Sequence, residues 1–169
     1  MCIAHQPRRP EKSSWLAPFS NVKIQELQHQ DPDLAPVVEW KKSGVRPLSS
    51  ETQRMAPATR HYWLYWDSLE LIDGVLCRRF TKKDNSGSYL QLMVPRGIRD
   101  EVLRQMHDAL LSGHLGQKKT RAKVLQRFYW FGVRGEVNLW VVRCDTCAVT
   151  KPTLDKKMVS YQLEALWIG

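Results

Sequence analysis

The chain has 169 residues, 43% of them apolar and 25% charged, with seven tryptophans and a net charge of +9. That is room for one ordinary domain, or a small domain with an extension, and enough apolar side chain to build a core, so a large enzyme and wholesale disorder are both excluded. No run of about 18 apolar residues is present to span a bilayer, and the opening MCIAHQPRRPEKSSW lacks the apolar stretch of a secretory leader. The expected setting is intracellular, nuclear or cytoplasmic being left open, with no membrane partner and no small-molecule substrate.

The charge is unevenly distributed. Residues 1–95 carry 13 Lys and Arg against 10 Asp and Glu, whereas residues 96–157 carry 13 against 6. A basic excess in one segment favours a polyanionic partner there, although Lys and Arg are also the default solvated surface.

In chain order, residues 1–19 mix Pro, Arg, Lys and Ser without periodicity and read as a flexible lead. Ser20 is a good N-cap for NVKIQELQHQ. DPDLAPVVEWKKSG reads as a short helix with Pro32 in its first turn and Gly44 past its end. Residues 47–55 are polar and turn-rich, and Pro57 then opens ATRHYWLYWDSL. Its aromatic run, Tyr62, Trp63, Tyr65 and Trp66, is read as core, because large rings supply most of the burial in small domains, although such rings also stack bases.

Asp73-Gly74 between apolar runs signals a hairpin, and Asn85-Ser86-Gly87 a second turn before a strand over Tyr89–Val94 that Pro95 stops. The expectation is a three-stranded antiparallel meander with Cys77 as a small buried hydrophobe in its middle strand.

From Gly97 the period becomes helical. Ile98, Val102 and Met106, with Leu103, His107 and Leu110, form one broad stripe that contains a histidine and ends at Ser112-Gly113. A second helix is expected over about 116–127, with Thr120, Val124 and Phe128 on one face. A third runs from about Val133, with Val137, Trp140 and Cys144 on its buried side.

Four metal-ligand candidates stand in this region as His107-x6-His114-x29-Cys144-x2-Cys147. Zinc takes four nitrogen or sulfur donors in a tetrahedron, and closed structural sites draw them as two pairs from separate parts of a chain. A lone C-x-x-C is equally a redox pair, but redox work places it at a strand-to-helix junction, whereas this one follows a helix. One structural zinc is therefore expected, stapling the first and third helices of a core too small to be stable alone. With all four positions filled by protein, the metal has no site for a reacting water.

The run VPRGIRDEVLRQMHDALLSGHLGQKKTRAKVLQRFYWFGVRGEVNLWVVRCDTCAVTKP resembles the zinc-binding N-terminal domain of integrases from gypsy-type long-terminal-repeat retrotransposons. The resemblance rests on His107, Gly113-His114-Leu115-Gly116, Lys119-Thr120, Tyr129-Trp130, Cys144-Asp145-x-Cys147 and Lys151-Pro152, in the family order. Phe131 departs from it, the family usually having proline there. YWLYWDSLELIDGVLCRRF is similar to the segment joining ribonuclease H to integrase in such polyproteins. The resemblance implies a helical domain around zinc, helix-turn-helix-like, that assists multimerisation and the handling of DNA ends. It also implies a following catalytic core with three acidic residues, for which the 17 residues after Pro152 give no room.

The expected architecture is α+β and mainly helical: a small three-helix zinc-stapled bundle preceded by an antiparallel meander and N-terminal helices. Its divisions are a lead (1–19), a helical and meander segment (20–95), a zinc domain (96–152) and a tail (153–169). The expected function is a non-catalytic zinc module of a truncated or domesticated integrase that binds DNA without sequence preference through Lys118, Lys119, Arg121, Lys123 and Arg127. No residue is assigned a catalytic role. Two alternatives stay open: a self-associating protein-interaction module anchored by Trp130, Phe131 or Trp140, and a fragment of an active polyprotein.

Overall fold

The computed structural model describes residues 19–150 apart from 83, 85, 86 and 110–112. The lead, the tail, Leu110, Ser112 and the Asn85-Ser86 part of the second turn thus lie outside the described residues, apart from Phe19. The elements are α1 (Asn21–Gln30), α2 (Ala35–Ser43), α3 (Ser49–Thr52), α4 (Pro57–Leu64), β1 (Leu69–Ile72), β2 (Val75–Thr81), β3 (Ser88–Met93), α5 (Arg99–His107), α6 (Gln117–Leu125), β4 (Phe128–Tyr129), α7 (Val133–Arg143) and α8 (Asp145–Thr150), with single 3-10 turns at Trp66–Ser68 and Arg96–Ile98. The fold is α+β and mainly helical, as expected.

α1 starts where its cap places it, the Ser20 hydroxyl accepting the Lys23 N–H at 3.2 Å. α2 starts later than expected. Asp31 accepts the N–H groups of Asp33 and Leu34 at 2.9 and 3.2 Å, which folds residues 31–34 into a turn, so Pro36 and not Pro32 occupies the first turn of the helix. Gly44 ends it in the left-handed region, φ 71°.

The Asp73-Gly74 hairpin forms as read: both residues have positive φ, 48° and 76°, and Ile72 faces Val75 across the turn. A side chain at position 74 would also meet Gln25, whose amide donates to the Asp73 carbonyl at 2.6 Å and docks α1 on the turn. Deeper in, the buried Gln28 amide accepts the Leu76 N–H at 2.8 Å and donates to the carbonyls of Leu76 and Met93 at 3.0 and 2.7 Å. Cys77 is buried in the middle of the sheet, and burial pushes its thiol up to about 12.

The sheet has four strands rather than three, in the order β1-β2-β3-β4, and β4 pairs parallel to β3 with Leu92 opposite Phe128. Two residues are too short a run to carry an alternating pattern, so β4 is invisible until the chain has folded back. One apolar cluster joins Ile24, Val75 and Leu92 to Val102, Met106, Phe128, Trp130 and Val137. Residues on both sides of position 95 therefore share a core. A second cluster, around Leu34, Val37, Tyr62, Leu76 and Met93, lies under α2 and α4.

The aromatic run of α4 is not all core. Tyr62 is fully buried and accepts the Phe131 N–H at 2.9 Å, but Trp63 and Trp66 are half-buried and Tyr65 is exposed. Tyr62 and Trp63 are consecutive in α4 and point about 100° apart, and Tyr65 and Trp66 follow its end, so the run cannot aim every ring at one core. Arg46 covers the Trp63 ring at 4.6 Å and Lys41 the Trp66 ring at 4.1 Å.

Candidate metal centre

His107 is the last residue of α5, which stops three residues before Leu110 and so short of the expected Ser112-Gly113 end. Gly113 and His114 then take left-handed conformations, φ 62° and 45°, and this reversal swings His114 back beside His107. Their rings lie edge to face, centroids 5.2 Å apart. Cys144 ends α7, and its carbonyl accepts the Ala148 N–H at 3.0 Å, so the C-x-x-C turn becomes the start of α8 and aims both sulfurs one way. Because α7 stops at Arg143, Cys144 is half-buried rather than buried with Val137 and Val141.

The four ligand atoms all lie within 4.8 Å of one another. Cys144 Sγ is 3.3 Å from His114 Nδ1, and Cys147 Sγ is 3.3 Å from His107 Nε2. The edges of a zinc tetrahedron built from ordinary Zn–N and Zn–S bonds are about 3.3–3.8 Å, so the two close N–S pairs are already near that spacing and the donor set can hold one zinc ion once its widest pair draws together by about 1 Å. Two thiolates and two neutral imidazoles also balance the charge of the ion.

Which nitrogen His107 offers is decided by Thr120, a fully buried residue of α6. Its hydroxyl donates to the Leu115 carbonyl at 2.7 Å and stands 3.2 Å from His107 Nδ1. A hydroxyl that spends its proton on a carbonyl can only accept from the ring, which places the imidazole proton on Nδ1 and leaves the Nε2 lone pair for the metal. Burial, opposed by Asp108, holds the His107 pKa below its ordinary value and keeps the ring in the neutral form that ligates. Asp108 in turn accepts the Trp140 indole N–H at 3.3 Å and ties the end of α5 to α7.

All four sequence-predicted ligands converge. The helical periodicity gives Thr120 only a place on a core-facing stripe and gives no sign of the Asp108–Trp140 hydrogen bond. A hydroxyl residue within an apolar stripe is the one signal in the sequence that marks Thr120.

The expected phosphate contacts are arranged differently. Lys118 and Lys119 are exposed, Arg121 and Lys123 half-buried, and Arg127 lies beyond the helix end. At about 100° per residue, Lys118 and Lys119 lie opposite Thr120 and Val124, the two residues α6 buries, while Arg121 and Lys123 flank that buried face. α6 thus closes the metal centre with one face and presents cations on the other.

Residues 94–153 match the integrase zinc binding domain. Gypsy retrotransposon integrase-like protein 1 of Homo sapiens is 31% identical over 75 residues, which cover 44% of this chain and 14% of that relative. The Bos taurus protein of the same name is 34% identical over 56 residues, 33% of this chain and 11% of the relative. The matched stretch thus spans well under a fifth of the curated relatives' length. No solved structure matches the chain significantly. The stretch that matches that domain begins in the last residues before α5, and its four His and Cys residues are positioned to bind one zinc ion.

Proposed function

We propose that this chain is a non-catalytic zinc module that binds nucleic acid, DNA in the first place, through the outer arc of α6, without reading sequence. The observation that carries the proposal is the division of α6 into a face that holds the metal centre and a face of cations. Lys118 and Lys119 stand in the first turn, where the helix end is already positive and no acidic residue offsets them. Such a turn is stabilised by an anion, and a phosphate backbone supplies anions at regular spacing. The metal folds this surface and takes no chemical part, its four positions being filled by protein.

Replacing Lys118, Lys119, Arg121, Lys123 and Arg127 with glutamine is expected to weaken DNA binding and to flatten the plot of log K against log salt, by about one unit of slope for each phosphate no longer neutralised. An unchanged affinity and slope refute the proposal.

A second reading, self-association, is favoured by α7, where Leu139 and Val142 are 54% and 64% exposed on neighbouring turns. Trp130 is fully buried and cannot anchor a partner, Trp140 is half-buried against Asp108, and Phe131 is exposed. Sedimentation with zinc tests this reading: a monomer at all concentrations excludes it.

A further inference from the structure

Arg78 lies in β2 on the sheet face covered by α4, and its guanidinium carbon is 4.2 Å from the ring centroids of both Tyr65 and Tyr129. Its neighbour Arg79 takes both carboxylate oxygens of Glu70. Arg78 has no such partner: no salt bridge among the described residues involves it, and its buried Nε has no hydrogen-bond partner. A guanidinium fixed between two rings loses little freedom on binding; Arg78 is half-buried with Nε inside, so its terminal amino groups are what it offers a phosphate.

The rings around it continue outward. His61 hydrogen-bonds Tyr129 at 2.6 Å and packs between Tyr65 and Phe131, at 4.9 and 5.0 Å. Tyr65 and Phe131 are 36% and 41% exposed on either side of His61, and Tyr65 adjoins the unpaired cation. Arg134 adds a second positive charge near Tyr129.

We infer that this cluster is a second nucleic-acid contact, separate from α6, that takes single-stranded nucleic acid: Arg78 holds a backbone phosphate while Tyr65 and Phe131 stack unpaired bases. Paired bases in a duplex keep their faces covered by neighbours, so only a single strand can use the rings. The cluster draws on α4, β2 and residues beside β4, so it exists only when the segments on either side of position 95 are packed together. It extends the nucleic-acid reading of α6 to another surface and stands or falls separately from it.

The test measures fluorescence anisotropy of a labelled 12-nucleotide single strand, and of a duplex of the same length, with the zinc-loaded full chain. Tyr65→Ala and Phe131→Ala are each expected to weaken single-strand binding about 5- to 100-fold while leaving duplex binding unchanged. Arg78→Lys, which keeps the charge but not the planar fork, is expected to do the same. Thermal melts show whether each variant is folded, and the two exposed-ring variants carry the test if the arginine variant is not. Single-strand affinity unchanged in both ring variants overturns the inference, as does a phosphoserine peptide of equal charge that binds as tightly as the oligonucleotide. Glutamine at Lys118, Lys119 and Arg121 should weaken both nucleic acids alike, so failure of the α6 reading is seen independently.

Discussion

Replacing Thr120 with valine changes one hydroxyl for one methyl at a fully buried position. The substitution keeps the volume that α6 presents to α5, so packing is largely preserved. It removes two interactions: the acceptor 3.2 Å from His107 Nδ1 and the donor 2.7 Å from the Leu115 carbonyl. His107 is fully buried, so its Nδ1–H can find no water in exchange and keeps only the Leu115 carbonyl, which itself loses the hydroxyl it accepted from. An unsatisfied buried group costs about 1–3 kcal/mol, or about 5- to 150-fold in an equilibrium constant. Removing an outer partner of a ligating histidine typically costs about 10- to 100-fold in metal affinity. Both routes give a zinc affinity weakened by about 10- to 100-fold, measurable by competition with a chromophoric chelator at pH 7.5. Thr120→Ser retains the hydroxyl and should stay within about threefold of the parent by the same reasoning. Zinc bound equally tightly by the valine variant refutes the role given to the hydroxyl. So does a serine variant as weak as the valine one, because the weakening would then come from packing alone.

Chelating zinc, or replacing Cys147 with serine, should lower the melting temperature in both halves of the chain, since Ile24 and Val75 share a core with Val137 and Cys147. A circular-dichroism melt that loses only the helices after residue 96 argues against that coupling. Gly74→Ala places a side chain at φ 76° and 2.8 Å from the Gln25 amide, and should destabilise by about 1–2 kcal/mol in a urea titration. Burial, and then the nearby Arg78, hold the His61 pKa below its ordinary value, so its contribution to stability is complete above about pH 6.5 and is lost as pH falls through the folded value. Between pH 7.5 and 5 the parent should therefore lose more melting temperature than His61→Gln, and a constant difference between them would count against the assignment. Iodoacetamide should leave Cys77 unmodified in the zinc-loaded chain, because burial pushes its thiol up to about 12, and should modify Cys144 and Cys147 only once zinc is removed. Peptide mass mapping reads each site separately.

The metal centre is legible in the sequence because its information is local and chemical. Donor type, the pair spacing and a glycine before His114 suffice to name His107, His114, Cys144 and Cys147, whatever the rest of the chain does. Ser20 as a cap and the Asp73-Gly74 turn are readable for the same reason: each acts on backbone within three residues of itself. Pairwise consequences of folding are not readable. β4 is a strand only because β3 is beside it, and Thr120 orients a ligand only because α6 lies across α5. The rings of α4 divide between core and surface according to which side faces the sheet, a choice that composition does not contain. The sequence alone determined that zinc can be held and by which four side chains. Tertiary structure decided which imidazole nitrogen holds it, which face of α6 meets solvent, and that Arg78 stands between Tyr65 and Tyr129 without a carboxylate, because each of these depends on packing between elements distant in the chain.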